Sequence, residues 1–261
     1  MASTTSTAPS LRISRIPASL LNFPPASLPS TLPPPSSSST FAHPFRIPPT
    51  LYNGALAVQV PITAALLYAS LVTYLNRYNA QRGLKPWDVS RTRAFRGFVI
   101  AHNVLLAVYS FWTFVGLVNA LRASLEGVSG EDGLVGVVDV LCKINGPRGL
   151  GNAATFSPGG EGWGFASSTL KLGVGDLPDQ ADVGRIWNEG LAFYGWLFYL
   201  SKFYEVVDTL IILAKGKESS LLQTYHHAGA MMSMWAGIRF MAPPIWMFVM
   251  VNSFIHTLMV R

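Results

Sequence analysis

From about residue 54 the chain alternates between long apolar blocks and shorter polar connections. Five blocks approach the roughly 20 residues that a helix needs to cross a bilayer core. The first covers about 54–75, with Pro61 as a kink of the kind that membrane helices tolerate. The second is Phe98 to Leu121 and the third about Gly190 to Leu213. A fourth, more polar, runs from about Ser220 to Phe240, and the fifth begins near Pro244. The pattern predicts an all-α membrane protein, a polytopic bundle of five visible spanning helices, in residues 51–261. Residues 1–50 are rich in Ser, Thr and Pro, including Pro33-Pro34-Pro35, and are expected to be a disordered tail. Arg12, Arg15 and Arg46, with no acidic residue before Asp88, give the tail the bias of a transit peptide, but no amphipathic helix or cleavage signal accompanies them. Between the second and third blocks lies a Gly-rich loop, about 122–189, whose apolar stretch Leu134 to Leu141 is too short to span and reads as a surface helix.

Composition agrees with the pattern. Only 12% of the residues are charged, against about a quarter in a soluble domain. The net charge of +6 does not imply a nucleic-acid partner, because the charges sit in connections rather than along one face. Instead they orient the bundle by the positive-inside rule. The first connection carries Arg77, Arg82, Lys85, Arg91, Arg93 and Arg96 against Asp88 alone, and the third carries Lys215 and Lys217. Both are therefore expected on the cytosolic side, with the N-terminal tail on the far, luminal side. The single cysteine, Cys142, excludes an intramolecular disulfide framework and a zinc site built from several thiolates.

Ionisable residues inside the last three blocks carry the functional signal, since such groups are costly in lipid and face a cavity or a partner. The third block contains Lys202, Glu205, Asp208 and Thr209, which fall within about 120° of one helix face. The fourth carries Gln223, His226 and His227, and the fifth Asn252 and His256. At 1.5 Å per residue, Asp208 lies about 10 Å inward of Lys215 and His226 about 13 Å inward of Lys217. One shared polar site in the cytosolic half of the membrane, with His226 buried among its polar groups, is the expectation. Any one of these residues alone could be an ion pair or hydrogen bond between helices.

Several segments carry a resemblance to a known family. Lys202 to Thr209 fits K-x-x-E-x-x-D-T, Gln223 to His227 resembles an H-x-x-H-H box, and Asn252 to Met259 resembles N-S-x-x-H-x-x-M. His102 and Asn103, with Leu106 and Ser110, fit H-N-x-x-L-x-x-x-S. In this order the four motifs are those of the fatty acid elongase family, which the chain resembles from about residue 51 to Met259. Gln223 stands where the box has its first histidine, a variant common among elongases of polyunsaturated chains. The resemblance implies very-long-chain 3-oxoacyl-CoA synthase activity, an acyltransferase of fatty acid biosynthesis in the endoplasmic reticulum membrane. It also implies seven spanning helices, so the chain is expected to lack the last two and to turn over little by itself. An inactive elongase-like protein acting only through association is the alternative.

By the same resemblance the reaction condenses long-chain acyl-CoA with malonyl-CoA, without a tightly bound cofactor or metal. His226 accepts the acyl group, since neutral imidazole attacks thioesters and Cys142 lies across the membrane from the site. His256 and His227 cooperate with it, and Lys202, Glu205, Asp208, Thr209, Gln223, Asn252, His102 and Asn103 support them. Lys215 and Lys217 are candidate contacts for CoA phosphates, although topology alone also accounts for them. Expected partners are the bilayer, the reductases and dehydratase of the elongation cycle, and a second copy of the chain. A histidine-rich di-iron desaturase is the rival enzyme class, but five histidines, one of them the tail's His43, are too few. A secondary transporter fits less well, because no inverted repeat is visible.

Overall fold

The computed structural model describes residues 31–34, 39–125, 132–157, 162–165 and 184–259, together with 127, 130, 172, 173, 176, 178 and 179. All five apolar blocks form helix. The first is α1 (Pro49–Ala55) followed by α2 (Gln59–Gln81), and the two axes bend by 47° at the break between them. The break falls at Leu56–Val58, before Pro61 rather than at it. Pro61 sits in the first turn of α2, where a missing N–H leaves no helical bond unmade. The second block is α3 (Arg93–Ser124), whose N-cap Thr92 accepts from the Phe95 N–H at 3.1 Å. The third follows a π turn, Trp187–Leu191, and divides at Glu205 into α5 (Ala192–Tyr204) and α6 (Val206–Ala214). The fourth is α7 (Leu221–Arg239), capped by the Ser220 hydroxyl, and the fifth is α8 (Ile245–Leu258).

Of these, α3 alone, or α1 and α2 taken as one bent span, is long and apolar enough to cross a membrane by length and composition. The most apolar window of α3 is only 28% buried. The later blocks form shorter or more polar helices. The α5–α6 rod packs against α7, α8, α3 and α2, α3 packs along α8, and α2 packs along α7. Gly116 of α3 and Gly237 of α7 are the close approaches. A Cβ at the first would strike the Tyr194 ring, and at the second Ile245.

The long loop holds secondary structure among its described residues. It contains α4 (Gly133–Cys142), the surface helix that the apolar stretch predicts, and an antiparallel hairpin of β1 (Ala154–Ser157) and β2 (Gly162–Phe165), an addition to the all-α expectation. Buried Arg185 ties the loop to the bundle. It donates to the carbonyls of Asp139, Lys143, Pro147 and Gly149, and its guanidinium meets the Asp139 carboxylate at 2.7 Å. At the opposite end of the bundle, the α2–α3 and α6–α7 connections are knitted together. Asn79 donates to the Leu213 carbonyl at 2.8 Å and accepts from the Trp87 indole at 2.8 Å, while Asn76 exchanges two bonds with the Ser219 backbone. Gly216 (φ 76°) lets this approach happen, because a Cβ there would collide with the backbone of Leu84 to Pro86. The first and third connections therefore share one end, as their charges require.

Part of the tail contradicts the sequence expectation. Residues 1–30 and 35–38, with Arg12 and Arg15, lie outside the described residues, but 31–34 and 39–48 form a strap packed on the core. Backbone carbonyls serve as anchors beside the side chains of Thr31, Leu32, His43 and Ile47. Trp187 donates its indole N–H to Leu32 O at 2.7 Å, Tyr194 its hydroxyl to Phe41 O at 2.7 Å, and His43 Nε2 bonds Asn188 O at 2.8 Å. The same device treats the carbonyls freed where α1 ends, an obligation at any helix C-terminus. Trp196 donates to Tyr52 O, Tyr199 to Ala55 O and Trp235 to Leu56 O, at 2.9–3.1 Å.

His43 makes the strap sensitive to pH. Burial lowers the pKa of its imidazole from the usual value, against a smaller upward pull from the Asn188 carbonyl. Nδ1 is buried without a hydrogen-bond partner. The released strap therefore binds a proton more readily than the docked one, so docking is full above about pH 6.5 and weakens as pH falls below it. Amide exchange over residues 39–48, corrected for intrinsic rates, should be faster at about pH 5.5 than at about pH 7.5. In His43→Ala that difference should vanish.

Candidate functional site

The α5–α6 rod turns its polar residues toward a different neighbour at each position. Lys202, 1% exposed, meets Glu205, 3% exposed, at 2.6 Å and donates to Asn252 Oδ1 of α8 at 2.9 Å. The Phe198 ring lies under the ammonium at 3.8 Å. The charge is thereby paired, hydrogen-bonded and seated on an aromatic face, the conditions under which burying an ion is tolerated. Asp208 turns toward α3, where buried His102 holds its carboxylate at 2.9 Å through Nε2 and the Tyr204 hydroxyl at 3.0 Å through Nδ1. Thr209 turns toward α2 and α7. Its hydroxyl lies 2.9 Å from the Tyr68 hydroxyl and accepts from the Gln223 amide at 3.3 Å.

The histidines complete the cluster from α7 and α8. His227 is buried and His226 exposed, with their rings edge-to-face at 5.6 Å. This reverses the expectation that His226 is buried among the polar groups. Of the two, set 100° apart around α7, the one that faces the core is His227. His256, half-buried, lies within electrostatic range of Glu205, Lys202, Asp208 and His226. His227 feels the same set from the other side. Lys202, Glu205, Asp208, Thr209, Gln223, Asn252, His102 and the three histidines are thus brought into one neighbourhood. Asn103 is half-buried one step beyond His102 on α3. Lys215 and Lys217 stand apart from the cluster, exposed on the α6–α7 connection. Cys142 is exposed at the end of α4, in the loop at the other end of the bundle.

Sequence reasoning missed Tyr68, Tyr204 and Phe198. Each is an aromatic residue within an apolar block, where nothing separates a packing ring from one that bonds a polar partner. Tyr204 lies inside the K-x-x-E-x-x-D-T segment, and its spacing of four from Asp208 was the available signal.

A helical membrane protein with a buried polar cluster shared by all five apolar blocks is the class this geometry defines. Residues 55–260 match the ELO (GNS1/SUR4) family, and the chain belongs to that family. Among curated proteins it is similar to fatty acid elongase sre1 of Dictyostelium discoideum, 39% identical over 87 residues, 33% of this chain and 31% of that protein. Fatty acid elongase 2 of Trypanosoma brucei brucei is 30% identical over 80 residues, 31% of this chain and 30% of that protein. Very long chain fatty acid elongase 1 of Homo sapiens is 34% identical over 67 residues, 24% of each chain. The chain thus spans about a third or less of the length of these relatives. No solved structure matches.

The Lys202–Glu205 pair gives the cluster a direct test. Lys202→Met leaves a buried carboxylate without its cation and should cost about 3–5 kcal/mol, whereas Lys202→Met with Glu205→Leu should cost clearly less. Thermal unfolding of the two variants in the same detergent compares them. Equal losses would show that the pair does not act as a unit.

Proposed function

We propose that this protein is a fatty acid elongase that condenses a long-chain acyl-CoA with malonyl-CoA, as a very-long-chain 3-oxoacyl-CoA synthase in the endoplasmic reticulum membrane. The observation that carries the reading is the convergence of Lys202, Glu205, Asp208, Asn252, His227 and His256 from three separate blocks, with exposed His226 at its edge. Family membership and the named relatives support it.

In this mechanism an imidazole nitrogen of His226 attacks the acyl thioester carbonyl. The C–S bond breaks, and the CoA thiolate takes the proton that the imidazole loses. Malonyl-CoA then loses CO2, and the electron pair of the broken C–C bond becomes a carbanion. It attacks the acyl-imidazole carbonyl, the C–N bond breaks, and the leaving imidazole recovers a proton. The products are 3-oxoacyl-CoA, CO2 and CoA. His256, within electrostatic range of His226, is assigned the exchange of these protons, and Lys202 with Asn252 the steadying of developing negative charge in a water-poor site. Lys215 and Lys217, exposed on the α6–α7 connection, are assigned to the CoA phosphates. The active site then opens to the cytosol, the strap end is luminal, and the reductases and dehydratase of the elongation cycle take the product onward. The Gln223 variant of the box favours polyunsaturated acyl chains as substrates.

Membranes containing an active form of the protein should convert acyl-CoA and radiolabelled malonyl-CoA into a 3-oxoacyl-CoA two carbons longer. His226→Ala should abolish the product and Cys142→Ser should leave it near wild type. A panel of saturated, monounsaturated and polyunsaturated acyl-CoAs that gives none with folded protein would defeat the reading. A labelled acyl group trapped on Cys142 would overturn the choice of nucleophile.

A further inference from the structure

We infer that Tyr68 of α2 is a positioning residue for the His226–His227 pair, a role that rests on the elongase reading above and lies outside its four motifs. Tyr68 is almost fully buried and touches two elements at once. Its hydroxyl is 2.9 Å from Thr209 Oγ1 on α6. Its ring stands edge-on to His227 of α7, with centroids 6.0 Å apart and planes at 75°. His227 in turn stands edge-on to His226, at 5.6 Å and 72°. A single side chain from the first block therefore sets the wall against which the histidine pair is packed.

The hydroxyl does more than satisfy a buried group. Thr209 already receives the Gln223 amide at 3.3 Å, and a helical threonine can bond its own i−4 carbonyl, so neither needs Tyr68. A phenylalanine would fill the same volume against His227. What the hydroxyl adds is position: bonded to Thr209, the ring is held at its far end and cannot slide along its own axis against the imidazole. Groups that must meet a carbonyl carbon need placement to about half an ångström, held by the residues behind them. Through Thr209 the restraint also reaches Asp208, the next residue along α6, which His102 fixes from α3. The pair is then framed from two helices that share no motif with it.

Tyr68→Phe separates the bond from the bulk of the ring. It is expected to lower kcat about tenfold while leaving KM for both acyl-CoA and malonyl-CoA, and the unfolding temperature in detergent, near wild type. Thr209→Val should copy it, Thr209→Ser should restore the rate, and Tyr68→Phe with Thr209→Val should be no worse than either alone. A readout free of turnover accompanies these. Brief diethyl pyrocarbonate treatment followed by mass spectrometry should modify His226 and spare His227 in the wild type and in Tyr68→Phe, and modify both in Tyr68→Ala. Unchanged kcat in Tyr68→Phe, or a still protected His227 in Tyr68→Ala, would overturn the inference. So would a loss of rate matched by equal losses in KM and thermal stability, which marks simple unfolding. If the wild type makes no 3-oxoacyl-CoA, the elongase reading fails, and the histidine protection then decides alone whether Tyr68 holds the pair.

Discussion

Every polar group that this bundle places at membrane depth must find its partner inside the protein, and one rod, α5–α6 with its preceding π turn, meets most of that demand. Its first half presents aromatic donors. Trp187, Tyr194, Trp196 and Tyr199 reach carbonyls of the strap and of α1, which have no helical partner. Its second half presents Lys202, Asp208 and Thr209, each bonded to a different helix. The same rod thus closes the far end and assembles the polar cluster at the near end. Dividing it at Glu205 costs little, because the backbone there stays close to helical, at φ −60° and ψ −13°.

Magnitudes explain why the pattern is so complete. A hydrogen bond between membrane helices is worth about 0.6 kcal/mol on average, too little to hold a bundle together. Leaving the same group unpaired in hydrocarbon costs several kcal/mol. The bonds therefore act by excluding alternatives more than by adding stability, and close packing must supply the adhesion. Gly116 beneath the Tyr194 ring and Gly237 against Ile245 are where it does so. In both cases backbone meets side chain with no room for a methyl group, so those helices have one way to sit.

Much of this was legible in the chain. Apolar length located the helices, and α7 matches its expected block to within a residue at each end, because Ser220 and Phe240 are visible boundaries. The polar cluster was legible because ionisable residues in an apolar block stand out at once. The strap was not. Hydropathy counts side chains, and residues 31–34 and 39–48 dock mainly by offering carbonyls, which every residue carries. The donors, Trp187, Tyr194 and their neighbours, read simply as apolar bulk. The order of His226 and His227 was hidden for a related reason. The two sit 100° apart around the helix, and the position of α2 behind α7 decides which one faces the core.

Holding the two ends to different standards follows from what each must do. At the strap end, the contacts are backbone carbonyls and large rings, tolerant of substitution provided an N–H or O–H remains. At the cluster end, the contacts are side chain to side chain, and each bond fixes an ionisable group. The knitted connections beyond the cluster extend that rigidity. Asn76, Asn79 and Trp87 bind the α2–α3 turn to the backbone of residues 213–219, so the start of α7 cannot shift without moving α2. Gln223 follows Ser220 by three residues and His226 by six, within the first two turns of that helix. A frame that fixes Ser219 in place therefore fixes the depth of the histidines, and chemistry that depends on their placement inherits its accuracy from two asparagines and an indole outside every motif.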